Sequence, residues 1–76
     1  MRSERIDVLG HDGMLFTDDD GDSVSVSDAI FAANSLLVTS TNKRGQDTSV
    51  YLSLDAVSEL QSFLSSWLIK KGIVPG

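Results

Sequence analysis

Aspartate is the residue type whose spacing first suggests chemistry in this chain. Asp18, Asp19, Asp20 and Asp22 crowd one short stretch, and Asp28 follows soon after. An oxygen-rich calcium loop is one reading: with Asp18 as first ligand, Asp20 and Asp22 fall at the third and fifth positions. The pattern then fails, because Ser23 stands where the sharp turn wants glycine and Ala29 where a bidentate glutamate belongs. Dense carboxylates can instead imitate nucleic-acid phosphates, and Asp18, Asp19, Asp20, Asp22 and Asp28 are the surface such an imitation uses. The plainest reading is a polar hairpin tip that keeps the protein in solution.

Catalysis has little to work with. His11 is the only histidine, set in a turn beside Asp12, and there is no cysteine. A general base needs a nucleophile or acid held within hydrogen-bond reach, and the serines lie in no nucleophile-elbow context. No glycine-rich phosphate loop follows a strand, and one histidine without cysteine cannot assemble a zinc cluster. The expectation is therefore no catalytic residue, no metal, no cofactor and no enzymatic activity. Lys43 and Arg44 form a small basic tip that reads as a solvated turn. With a formal net charge of −5, the chain is not expected to bind nucleic acid through its overall field. The start, MRSERIDV, lacks an apolar h-region and no apolar run is long enough to span a bilayer. The expectation is a cytoplasmic protein with no membrane contact.

The elements that must position these residues centre on the stretch Leu52 to Gly72. At 100° per residue, Ala56, Val57, Leu60, Phe63, Leu64, Trp67 and Leu68 form one stripe about 140° wide, a core face of a helix over about 54–71. Ser53 is placed to cap its start, Gly72 its end, and Pro75 forbids resumption. Ile69 projects among serines and reads as a possible contact residue. Before the helix, Arg5–Leu9, Met14–Asp18, Ser23–Ser27, Leu36–Thr41 and Thr48–Leu52 read as strands. Turns are expected at Gly10–Gly13, at 19–22, and at 42–47 with Gly45 left-handed. The segment 28–35 allows one helical turn or a kinked continuation of the sheet, and the tail after Gly72 is expected to fray.

Seventy-six residues make one domain, 1–76, with an α+β fold: an antiparallel meander of four or five strands and one C-terminal helix packed on one face. Pairing across Asp12-Gly13 places Leu9 opposite Phe16 and Val8 opposite Thr17; pairing across Asp20-Gly21 places Thr17 opposite Val24 and Leu15 opposite Val26. Centring the last hairpin on Arg44-Gly45 groups Leu37 with Val50 and Leu52. On these registers Ile6, Val8, Leu15, Val24 and Val26 make a floor for the helix. Leu9, Met14, Phe16, Leu36, Val38 and Tyr51 remain on the other side. One helix covers one face, so this second set is expected to meet a protein partner or a second copy in a homodimer. The competing expectation is that Ile30 and Phe31 fold back and close it.

The FTDDDGDSVSVS hairpin, the serine- and threonine-rich strand and the closing VYLSLDAVSELQSFL segment together resemble small accessory proteins of bacteriophages and prophages. The likeness spans roughly residues 13–68. It implies a role played by binding in the host cytoplasm: inhibiting or modulating a host protein. Alternatives are a nucleic-acid mimic of anti-restriction or anti-CRISPR type, built on the acidic set, and a component of virion assembly. It carries over no catalytic residues.

Overall fold

A computed structural model describes residues 1–73, so Pro75 and most of the 73–76 tail lie outside the described residues. Five antiparallel strands neighbour one another in sequence order: β1 (Arg2–Val8), β2 (His11–Thr17), β3 (Ser23–Asp28), β4 (Ser35–Thr41) and β5 (Asp47–Ser53). The helix α1 (Leu54–Lys70) follows at once and packs against β4 and β5. The fold is the expected meander with one C-terminal helix.

The first hairpin closes elsewhere than expected. Val8 faces His11 and Ser3 faces Phe16, so the turn is Leu9-Gly10 rather than Asp12-Gly13. Leu9 and Gly10 both take positive φ, 52° and 86°, the geometry of a tight two-residue hairpin. The Asp7 carboxylate accepts the Gly10 N–H at 2.7 Å, which supplies the local stabilisation that a leucine in the left-handed region needs. Asp12 and Gly13 lie inside β2 instead, with Gly13 opposite Ile6.

The other two hairpins share one turn chemistry. Asp18 Oδ1 accepts the N–H groups of Asp20 and Asp22, and Asn42 Oδ1 accepts those of Arg44 and Gln46. In each, the glycine three residues on, Gly21 or Gly45, carries the positive φ. Both loops therefore reach their full closure at Asp18–Asp22 and Asn42–Gln46, which moves each register by one residue from expectation. Phe16 faces Val24, Met14 faces Val26, Leu36 faces Leu52 and Val38 faces Val50. A one-residue slip exchanges the faces of every paired side chain. Residues 29–34 form neither helix nor strand but a bend that ends on Asn34 at φ 60°. Phe31 is 90% exposed there and does not fold back over the sheet, whereas Ile30 is half-buried and lines a cleft with Leu36, Leu54 and Val57.

Ser53 caps α1 by accepting the Ala56 N–H at 3.2 Å. At the far end Gly72 (φ 85°) donates to Ile69 and Ile73 donates to Leu68, the paired bonds of a Schellman closure. Both ends are thus where residue chemistry put them. The stripe between them is not a core face within this chain: Phe63 is 64% exposed and no residue of the helix is buried. Only the small side chains of Ala29 and Ser27, with Gly13, are buried among the described residues.

Candidate interaction surface

The observed registers assemble an apolar array that crosses four strands. Met14, Val26, Val38 and Val50 form one continuous row, each directly opposite the next. Phe16 and Val24 stand beside it toward one end, and Leu36 and Leu52 toward the other. All eight share one side of the pleat. On the same side β1 contributes Ser3, Arg5 and Asp7, a polar margin on that edge strand. Phe16, Val24 and Val50 stay exposed, Val50 at 51%.

Of the six residues expected at a partner face, Met14, Phe16, Leu36 and Val38 are brought together here. Leu9 is not among them, because it forms the first turn. Tyr51 is not either: it lies across the sheet in the row Ile6, Gly13, Ser27, Leu37, Tyr51. Val24 and Val26, expected in the floor for the helix with Ile6, Val8 and Leu15, and Val50 and Leu52, expected beside Leu37, belong to the array instead, because the one-residue shift of each hairpin turns them to the other side. The side-chain acceptors Asp7, Asp18 and Asn42 were the signal that could have found them, since each sets the length of its loop.

The helix adds a second unburied surface. Leu60, Phe63, Leu64 and Trp67 are all exposed along its stripe, and Leu54 and Ile69 besides. Only Leu54 and Val57, near its start, line a cleft with Leu36 and the 29–34 bend. The Lys71 ammonium sits 5.7 Å from the centre of the Trp67 ring and covers part of its face.

The shape of the whole chain reflects this. Its radius of gyration is 13.6 Å, against about 11.4 Å for a compact domain of its length. Its accessible surface is 5938 Å², about 1,400 Å² more than the roughly 4,500 Å² usual for an 8.2 kDa globular chain.

The acidic residues are engaged in turn architecture. Besides the two bonds to Asp18, Asp22 accepts the backbone N–H of Lys43 at 2.9 Å, and Asp19 pairs with the N-terminal ammonium at 2.7 Å. The acidic and basic hairpin tips therefore stand side by side at one end of the sheet. Asp28 is at the other end of β3, about 20 Å away along the strand, beside His11 Nδ1 at 3.4 Å. The five carboxylates do not form one surface. Replacing Asp18, Asp19, Asp20 and Asp22 together by Asn keeps every acceptor the turn uses, so a denaturant melt is expected to shift by about 0.5 kcal/mol or less. Association with a partner is expected to survive the same change. Its loss without unfolding would restore these aspartates as a binding surface.

Among the described residues, no cluster of three His, Asp or Glu side chains is arranged to hold a metal ion. No helix among the described residues is long and apolar enough to cross a membrane. No family model, curated protein or solved structure matches the chain.

Proposed function

We propose that this chain is a small non-enzymatic interaction protein of phage-accessory type, acting in the host cytoplasm by occupying a surface on a host protein. The observation that carries the reading is the apolar array around Met14, Val26, Val38 and Val50, half-buried at its centre and exposed at Phe16, Val24 and Val50. Contiguous apolar surface of this extent is costly to hold in water, and soluble proteins that keep it use it for binding. The array is rimmed by Ser40, Thr48 and Arg5, the polar border usual around an apolar interface centre. The acidic tip, by contrast, sits beside Lys43 and Arg44, a poor arrangement for imitating a run of phosphates.

The test is affinity capture from host lysate with the unaltered chain and Phe16→Asp in parallel. A host protein held by the first and lost from the second is the expected result, because the new carboxylate lies within the array. Equal retention by both places the binding surface elsewhere, and enrichment of no protein removes the host-binding role. Retention should change little between low and high salt, as befits an apolar contact.

A further inference from the structure

We infer that the uncovered sheet face seats the helix of a second copy of this chain, and that two copies exchange their helices reciprocally. This rests on the reading above that the chain works by binding, and it names the partner held in the absence of a host protein.

The first observation is the junction between β5 and α1. Ser53 is at once the last residue of the strand and the N-cap of the helix, with nothing between them. A helix that folds back across its own sheet normally needs a connection of roughly two to six residues. Here the direct junction leaves α1 packed chiefly on β5 and β4, so Phe16, Val24 and Val50 of the array stay exposed in the same chain. The chain therefore carries a helix whose stripe is only partly seated and a sheet face that its own helix covers only at one end.

The two surfaces match in chemistry and size. The stripe Leu60, Phe63, Leu64, Trp67 carries no charge, and neither does the row Met14, Val26, Val38, Val50. Contact through them sets no charge at the centre of the interface, although each chain bears a net charge of −5 and Asp7, Asp12 and Asp28 stand at the margin of the same side of the sheet. A helix of 17 residues is about 25 Å long, enough to cross five strands spanning about 19 Å. The surplus surface of about 1,400 Å² per chain exceeds the roughly 800 Å² that each partner of a stable complex usually buries. Two-fold symmetry then makes the exchange complete: when one helix lies on the partner's sheet, the partner's helix lies on the first. Each pair of copies has two equal helix-on-sheet contacts.

That doubling supplies the test. Sedimentation equilibrium of the unaltered chain should give twice the mass of one 8.2 kDa chain, weakening to monomer on dilution. Phe16→Asp places a charge on the sheet face and Leu64→Asp places one on the stripe. Each alone damages both contacts and should raise the dimer dissociation constant by about 100-fold or more. An equimolar mixture should recover a heterodimer at least about tenfold tighter than either variant alone. In it, the sound helix of the Phe16→Asp chain meets the sound sheet of the Leu64→Asp chain, and both lesions fall in the remaining contact.

Three results overturn the exchange: a monomeric mass at all concentrations, no recovery on mixing, or a Leu64→Asp chain that dimerises normally. The last outcome means that the sheets meet face to face without the helices. Far-UV circular dichroism checks that both variants keep the fold. Should either lose it, Val24→Thr and Leu64→Gln take their places, with the same recovery required. Loss of the exchange alone leaves host capture standing, and loss of host capture alone leaves the exchange standing.

Discussion

Phe63→Ala is expected to have two different costs in one protein, depending on concentration. In a dilute solution of single chains the ring is mostly in water, so truncation removes little buried area and should cost about 1 kcal/mol or less. Where two copies associate, the same ring lies under the partner's sheet, and its loss should cost about 3–5 kcal/mol per chain, the range for deleting a buried aromatic. The measurement is a series of denaturant melts over a wide range of protein concentration. The midpoint of the unaltered chain should rise with concentration, since association stabilises only the folded form. That of Phe63→Ala should stay near its dilute value. Ser62→Ala, one residue away on the polar side of the helix, should follow the unaltered chain throughout. A cost of 3–5 kcal/mol already present at the lowest concentration would mean that the ring is buried within its own chain.

The contrast also shows which physical information a single sequence carries. The extent of α1 was legible because its signals are local: a stripe at helical period, Ser53 before it and Gly72 after it. The number and order of strands were legible for the same reason. The registers were not, because each hairpin offered competing turn signals only a few residues apart. Asp12-Gly13 is a strong turn dipeptide, yet Leu9-Gly10 forms the turn, steadied by the Asp7 carboxylate. In the other two loops the side-chain acceptors Asp18 and Asn42 set the closure, and turn dipeptides alone miscount it by one. That single step exchanged the faces of β2 and β3 relative to each other, and with them the list of partner residues. Met14, Phe16, Leu36 and Val38 survived because their alternation within each strand does not depend on where the hairpin turns. Tyr51 and Leu9 did not, because their placement did. The direct junction at Ser53 was legible, but the exposure of the helix stripe was not, because it depends on how far the helix reaches across the sheet, which no local signal encodes.

Gly13 is the position where the corrected register predicts the largest effect from the smallest change. Its backbone is ordinary, so conformational freedom is not the reason for a glycine there; by propensity alone Ala is the better strand residue. Space decides otherwise. A Cβ at Gly13 would stand 2.9 Å from the Val26 carbonyl oxygen, 3.0 Å from Ile6 Cγ1 and 3.0 Å from Ser27 Cβ. The first of these is backbone and cannot swing aside, so β3 must shift away from β2 to admit a methyl group. Gly13→Ala is therefore expected to destabilise the fold by about 1–3 kcal/mol, and Gly13→Val by more. That is a large fraction of the margin available to a chain this short. Ile6→Ala relieves one of the three collisions, so the double variant should cost less than the sum of the two single changes. Gly10→Ala provides the contrast: nothing lies within 4 Å of its added carbon, and only its positive φ of 86° opposes the change. The shift forced at Gly13 also reaches the other side of the sheet, where the neighbouring Met14 meets Val26 in the apolar row. Gly13→Ala should accordingly weaken self-association even at temperatures where the sheet persists. Equilibrium melts of the three variants, with sedimentation of Gly13→Ala, check both parts. A Gly13→Ala chain as stable as the original, or more so, would show that β1, β2 and β3 do not approach as described and that Asp12-Gly13 is free to serve as a turn.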